Sequence, residues 1–313
     1  MTKKSFKEMV SSLEEENYGF NYFNVETIGD YFPEDADWNY KDIIHPKLIH
    51  SGFSALQAFA SNDIACAINL QKIPFLGFSI PLLIINYEYS KFNQTYFTSF
   101  GPYIILVNTI IEKHDTDKTR VRTLYAIGSK GIFKILHKTI GKVLLKNYKK
   151  LMSEDIPMRN RKGELRKFSH KFYSPSITYP FNFSEKINRS NIYLDKNVNN
   201  EISINKSEIS SCKHGDIIGQ KLGILSFFIS EDNINKKIWP TTCPHEGARL
   251  TLKCIKGDKI LCPWHNRIAK PLMVINKENN KIEIISSMDY LVSYEKNSIK
   301  IKYKNDPESY NQK

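Results

Sequence analysis

Apolar residues repeat at two different periods along the chain, and the change of period divides it. Phe6, Met9, Val10 and Leu13 fall three and four residues apart, which predicts an amphipathic helix. An aromatic segment follows it, Tyr18-Gly19-Phe20-Asn21-Tyr22-Phe23, and the helix is expected to pack on a domain edge. Runs rich in β-branched and aromatic residues then predict strands over 78–89, 94–100, 103–112 and 119–126. They are separated by Lys91-Phe92-Asn93, by Gly101-Pro102 and by His114-Asp115-Thr116-Asp117. From Phe133 the period returns to that of a helix, with Ile140, Leu144, Tyr148, Leu151 and Asp155 on one face and Pro157 expected to end it. A basic, irregular stretch leads through Pro175 and Pro180 into an Asn-rich tract, so residues 181–200 read as a connection between domains. Beyond it short strands recur over 201–204, 221–230, 237–241, 259–261, 281–286 and 298–303, a small all-β domain. The organisation expected is therefore 1–180, a linker at 181–200, 201–306, and a frayed tail at 307–313.

Composition narrows this picture. A chain of 313 residues holds two domains of ordinary size. The net charge of +12 comes mostly from lysine spread along the chain, and no interleaved aromatic and basic motif points to nucleic acid. Five cysteines without a framework spacing fit a reducing, cytoplasmic setting. The N-terminus has no uninterrupted apolar stretch of the kind found in a signal peptide. The longest apolar run, 73–85, is broken by Pro74, Gly77 and Pro81 and is too short for a transmembrane span.

Candidate chemistry concentrates at Cys243–His265. Two mixed pairs, Cys243/His245 and Cys262/His265, flank a sixteen-residue interval with a turn at Lys256-Gly257-Asp258. One Cys and one His from each of two neighbouring loops is the ligand set of a [2Fe-2S] cluster with two thiolates on one iron and two imidazoles on the other. Pro244 and Pro263, each following a Cys, stiffen the loops. Zinc also accepts two Cys and two His, but zinc fingers usually pair like with like. The pattern C-x-H, sixteen residues, C-x-x-H resembles the Rieske family. Ala248 and Trp264 stand where respiratory members carry a further disulfide, which implies the ferredoxin or oxygenase branch; Glu246 and Asn266-Arg267 depart from the usual oxygenase loops.

A second motif gains meaning from that resemblance. His45 and His50 lie five residues apart, about 140° around a helix, so by themselves they are not a ligand pair; Pro46 supplies a reason for a local distortion. Asp42, His45 and His50 match the D-x-x-H-x(4)-H motif of Rieske oxygenases, in which two His and a carboxylate hold a mononuclear Fe(II). Asp155 falls on the inward face of its helix, where an acid must be paired or coordinate a metal. Ser153-Glu154-Asp155 also resembles the family segment that supplies the third ligand, with Glu154 the weaker candidate and a capping role for Asp155 the plain alternative.

The resemblance implies an α+β chain with a helix-grip (START/SRPBCC-like) catalytic domain first and an all-β Rieske domain last, the reverse of the family's usual order. It implies electrons passing from a [2Fe-2S] cluster to Fe(II), with O2 as co-substrate and a mono-oxygenation of a small or medium apolar molecule. His265, Asp42 and His45 would form the electron bridge. Partners implied are a ferredoxin or flavin reductase drawing on NAD(P)H, and a homotrimer. Phe78, Phe97, Phe100 and Tyr103 are candidate pocket residues, with core packing the simpler reading. The alternatives are a Rieske ferredoxin-like electron carrier or a redox sensor, fused to a helix-grip domain without catalytic iron.

Overall fold

The computed structural model describes residues 3–42, 49–50, 53–60, 64–72, 79–167, 170–172, 192–194, 200–244, 246–285, 287 and 289–304. The chain separates into two compact units, the first built on the residues through Gly163 and the second containing the β-rich C-terminal part.

The first unit begins with α1 (Phe6–Glu15), whose start is fixed by a capping box: the Glu8 N–H donates to the Ser5 hydroxyl (3.2 Å) and the Ser5 N–H to the Glu8 carboxylate (2.6 Å). After β1 (Gly19–Gly29) comes α2 (Pro33–Lys41), with Pro33 at its first turn, where a missing N–H costs nothing. Six strands follow in a meander: β2 (Phe53–Ala60), β3 (Ile64–Lys72), β4 (Ser79–Ser90), β5 (Asn93–Phe100), β6 (Tyr103–Asp115) and β7 (Lys118–Ser129). They form one antiparallel sheet of seven strands in the order β1-β7-β6-β5-β4-β3-β2. The aromatic segment after α1, from Gly19 on, is part of the edge strand β1.

A 3-10 turn, Gly131–Leu136, leads into the long helix α3 (His137–Lys167). Pro157 does not end this helix. It lies inside, on an exposed position, where its nitrogen donates no hydrogen bond and its ring crowds the carbonyl one turn back. Two glycines set how closely α3 approaches: a Cβ at Gly141 would lie 2.1 Å from the Phe23 ring, and one at Gly163 2.5 Å from the Asp30 carbonyl oxygen.

Register separates the two faces of the sheet. Phe23, Tyr125, Val107, Tyr96 and Asn86 form one row across five strands, and Val25, Thr123, Thr109 and Gln94 the next. Tyr125 meets Tyr148 of α3 edge-on at 6.1 Å between ring centroids, so this is the α3 face. The opposite face is aliphatic: Leu106 and Ala126 pack with Phe6 and Val10 of α1, and Phe97 joins that cluster. A long helix held by a curved antiparallel sheet is the helix-grip arrangement.

The second unit is a set of small antiparallel sheets, one of which pairs β8 (His170–Phe172) with β9 (Ile192–Leu194). A second combines β10 (Glu201–Asn205), β19 (Tyr290–Tyr294) and β20 (Ser298–Tyr303). Another runs β11 (Ile217–Gly219), β12 (Ser226–Glu231), β13 (Asn235–Pro240), β17 (Met273–Asn276) and β18 (Ile282–Ile284). A fourth joins β14 (Ile255–Lys256), β15 (Lys259–Leu261) and β16 (Ile268–Ala269). Its core is apolar throughout, centred on Ile204, Phe227, Ile229, Ile238, Met273, Ile299 and Ile301. Among the described residues no helix is long and apolar enough to cross a membrane.

Candidate functional site

The chemistry of the first unit collects where α2, the chain at His50 and the middle of α3 meet. Asp155 is buried, as its helical position requires, and its partners are polar. His50 sits between two carboxylates, with Nδ1 2.6 Å from Glu154 Oε2 and Nε2 3.3 Å from Asp155 Oδ1. Asn39 of α2 reaches the same Asp155 oxygen from Nδ2 (3.4 Å). Arg159, one turn beyond Asp155, donates from Nε and Nη2 to Asn39 Oδ1 (2.8 and 2.6 Å) and lies 3.8 Å from Asp155 Oδ2.

Burial disfavours a charged imidazole at His50, but hydrogen bonds and charge from Asp155 and then Glu154 outweigh it and raise the pKa above the ordinary value. Arg159 is wholly buried and stays charged, because Tyr40 and Asp155 compensate its desolvation. Its guanidinium lies 4.5 Å from the Tyr40 ring centroid.

Around this cluster the α3 face is lined by aromatic and polar groups. Tyr40 meets Tyr96 edge-on at 6.1 Å, and desolvation pushes the Tyr96, Tyr125 and Tyr148 hydroxyls well above the ordinary phenol range. They are neutral donors at physiological pH. Lys41 is buried between Asp37 (2.7 Å) and Glu88 (2.9 Å), and Gln94 donates to Asp37 (2.9 Å). Lys162 places its ammonium 3.5 Å from the centroid of the buried Trp38 ring. Arg159 carries no short motif, and its pairing with Asn39 was not legible because nothing in the sequence sets α2 beside the middle of α3.

Of the residues singled out earlier, His50 and Asp155 come together. Asp42 is buried at the C-terminal end of α2, while His45, Phe78 and His245 lie outside the described residues. Phe97 packs on the α1 side, away from α3. Phe100 is stacked on Tyr103 at 6.4 Å, at the β5–β6 turn; Tyr103 is buried and meets Phe133 and His137.

In the second unit Cys243 and Cys262 each open a tight loop. Gly247 N–H donates to the Cys243 carbonyl (2.9 Å) and Asn266 N–H to the Cys262 carbonyl (2.8 Å). Positive φ at Gly247 and Asn266 closes both turns. Both thiols are buried and neither is in a disulfide; His265 is buried too. A hydrogen bond with the Cys243 thiol, and then burial, push the Cys262 thiol well up.

No protein-family model and no curated protein matches the chain. Solved structures do resemble the helix-grip part. The di-domain ARO/CYC BexL from the BE-7585A biosynthetic pathway is 7% identical with a TM-score of 0.37, over 45% of this chain and 49% of that one. The Zhui aromatase/cyclase from Streptomyces sp. R1128 is 8% identical with a TM-score of 0.37, over 48% of this chain and 96% of that one. A Thalictrum norcoclaurine synthase is 9% identical with a TM-score of 0.38, over 45% and 95%. The chain thus spans about half the length of BexL (49%) and nearly all of the other two. The likeness is one of fold.

These findings correct the expectation of a Rieske oxygenase. Among the described residues no three His, Cys, Asp or Glu side chains are grouped to hold a metal ion. Both ring nitrogens of His50 face carboxylates, Nδ1 that of Glu154 and Nε2 that of Asp155, so the three side chains form one acid–base group. The [2Fe-2S] cluster, the mononuclear Fe(II), O2 and NAD(P)H are withdrawn as cofactors. The ferredoxin or flavin reductase and the trimer expected with that chemistry lose their support; of the residues named for the electron bridge, Asp42 and His265 are buried and His45 lies outside the described residues. A C-terminal Rieske domain is not shown; what is shown there is a β-rich unit that also holds a short helix, Lys206–Ser211.

Proposed function

We propose that the first unit is a helix-grip enzyme that binds a ring-bearing carbonyl compound and moves protons on it. One observation carries the reading: a buried imidazole held between two carboxylates, Glu154 at Nδ1 and Asp155 at Nε2. Outside a functional site that arrangement is costly, since two acids and a base are taken from water together. The shorter contact fixes Nδ1–H on Glu154 and orients the ring, so Nε2 is the nitrogen that exchanges a proton with substrate. With its pKa raised, His50 holds its proton more tightly than a free imidazole and serves as a general acid; after donation it is the base for the reverse transfer. Neutral phenols of Tyr96, Tyr125 and Tyr148 suit a ring substrate with carbonyl or hydroxyl oxygens. Enolisation, dehydration and ring closure are the steps such a group performs.

The test is exchange of the α-protons of 1-tetralone in D2O, followed by NMR, together with binding of an anilinonaphthalene sulfonate dye. The wild-type protein accelerates exchange, and His50→Ala loses about 10²–10⁴-fold of it while still binding the dye. Exchange by His50→Ala at the wild-type rate, or none by the wild type, sinks the proposal.

A further inference from the structure

The 3-10 turn between β7 and α3 carries the most exposed apolar residues of the described chain. Ile132 and Ile135 are 83% and 82% exposed, and Leu136 and Phe133 nearly half exposed. In a 3-10 helix, side chains at i and i+3 eclipse, so Ile132 with Ile135, and Phe133 with Leu136, make two parallel apolar ridges. The turn is firmly held from behind. The Tyr103 hydroxyl donates to the Phe133 carbonyl (3.3 Å), the Tyr103 ring is edge-on to Phe133 and His137, and Ser129 Oγ lies 2.7 Å from His137 Nε2. Side chains that a rigid turn aims at water in this way are not displaced core residues. Phe100 and Pro102 at the β5–β6 turn extend the same surface through the Phe100–Tyr103 stack.

Charge identifies the occupant. From Lys118 to Ser153 the chain contains ten Lys or Arg and no Asp or Glu. Lys130, Lys134, Lys138 and Lys142 are exposed and recur every fourth residue from the turn into α3. Lys130 is steadied over the Tyr18 ring at 4.8 Å. An apolar wedge one turn long, collared by lysines with no acid among them, matches the boundary between acyl chains and anionic headgroups. A stable protein partner would instead take about 800 Å² from each side, more than one turn and a hairpin tip present.

We propose that this surface docks the protein peripherally on anionic phospholipid bilayers, with Ile132, Phe133, Ile135 and Leu136 inserted and the lysines at the headgroups. The test is co-sedimentation of the full chain with vesicles of phosphatidylcholine alone or with added phosphatidylserine. Binding is expected only with phosphatidylserine and is expected to weaken as salt rises. Each charge reversal at Lys134 or Lys138 lowers it about fivefold or more, and the double variant Ile132→Glu/Ile135→Glu abolishes it. All these positions are exposed, so dye binding and thermal unfolding serve as controls for folding and should not change. Equal binding to both vesicle types, no binding to either, or unaltered binding by the Ile variant overturns the proposal. So does a dimer in solution that the Ile variant dissociates without any vesicle binding, because the surface would then belong to a second copy of the chain.

Discussion

The two units differ in how much charge they bury. The second encloses Ile204, Ile218, Phe227, Ile229, Ile238, Ile299 and Ile301 in one apolar cluster, with Glu246, His265 and Asp289 the ionisable polar groups buried besides. The first encloses Asp37, Lys41, His50, Gln94, Asp155, Arg159 and Lys162 in the layer between its sheet and its helices. Apolar burial stabilises by about 25 cal/mol per Å², whereas buried charge at best repays its own desolvation. A chain able to build the first kind of core gains nothing in stability from the second, so the charged layer of the first unit answers to chemistry.

The sharpest way to break that contrast is Arg159→Met. The substitution keeps much of the volume but leaves Asn39 and Asp155 without their cation, and removing one partner of a buried charged network costs about 3–5 kcal/mol. Hydrogen exchange should show the loss confined to the first unit, with the amides of β12 and β13 keeping their protection. In the second unit Ile238→Ala removes only methyl groups from a dry core and should cost about 2–5 kcal/mol, toward the lower end where neighbours close the cavity. Its effect should be insensitive to salt and pH. An Arg159→Met protein as stable as the wild type would mean that the polar layer is hydrated and that the two cores differ less than their residues imply.

The contrast also explains what the sequence could disclose. Strands β4 to β7 were legible within one to three residues because alternation and turn residues are local signals, and α1 likewise from Phe6, Met9, Val10 and Leu13. Pro157 misled: its lost hydrogen bond and the crowding of its ring against the preceding turn are outweighed by the packing of a 31-residue helix. Asp155 was legible as a buried acid from its helical phase, and His50 as its partner only through a motif. The motif supplied the wrong chemistry because residue spacing in one dimension does not say what each ring nitrogen faces. The pairing of Asn39 with Arg159, 120 residues apart, could be seen only in the fold. Phe97 was read as pocket lining because neighbours along a strand alternate faces, and the face was not known until α1 was placed.

The smallest effect is the most diagnostic. The folded pKa of His50 lies above its ordinary value near 6.5, so the folded state holds that proton more tightly than the unfolded chain. The stabilisation is fully present below about pH 6.5 and is lost as pH rises through the folded value, by linkage. Its size is limited because Glu154 is a quarter exposed and screened by solvent. Asp37, whose carboxyl is raised by burial against the opposing pull of Lys41, gives a slope of the same sign, but beginning at the ordinary carboxylate range. The difference between wild type and His50→Gln in the urea midpoint of the first unit isolates the histidine. That difference should shrink steadily above pH 6.5, and added salt should reduce it. A difference that grows with pH would mean that His50 is held neutral in the folded protein, and the acid assigned to the proton-transfer step would have to be sought elsewhere in the cluster.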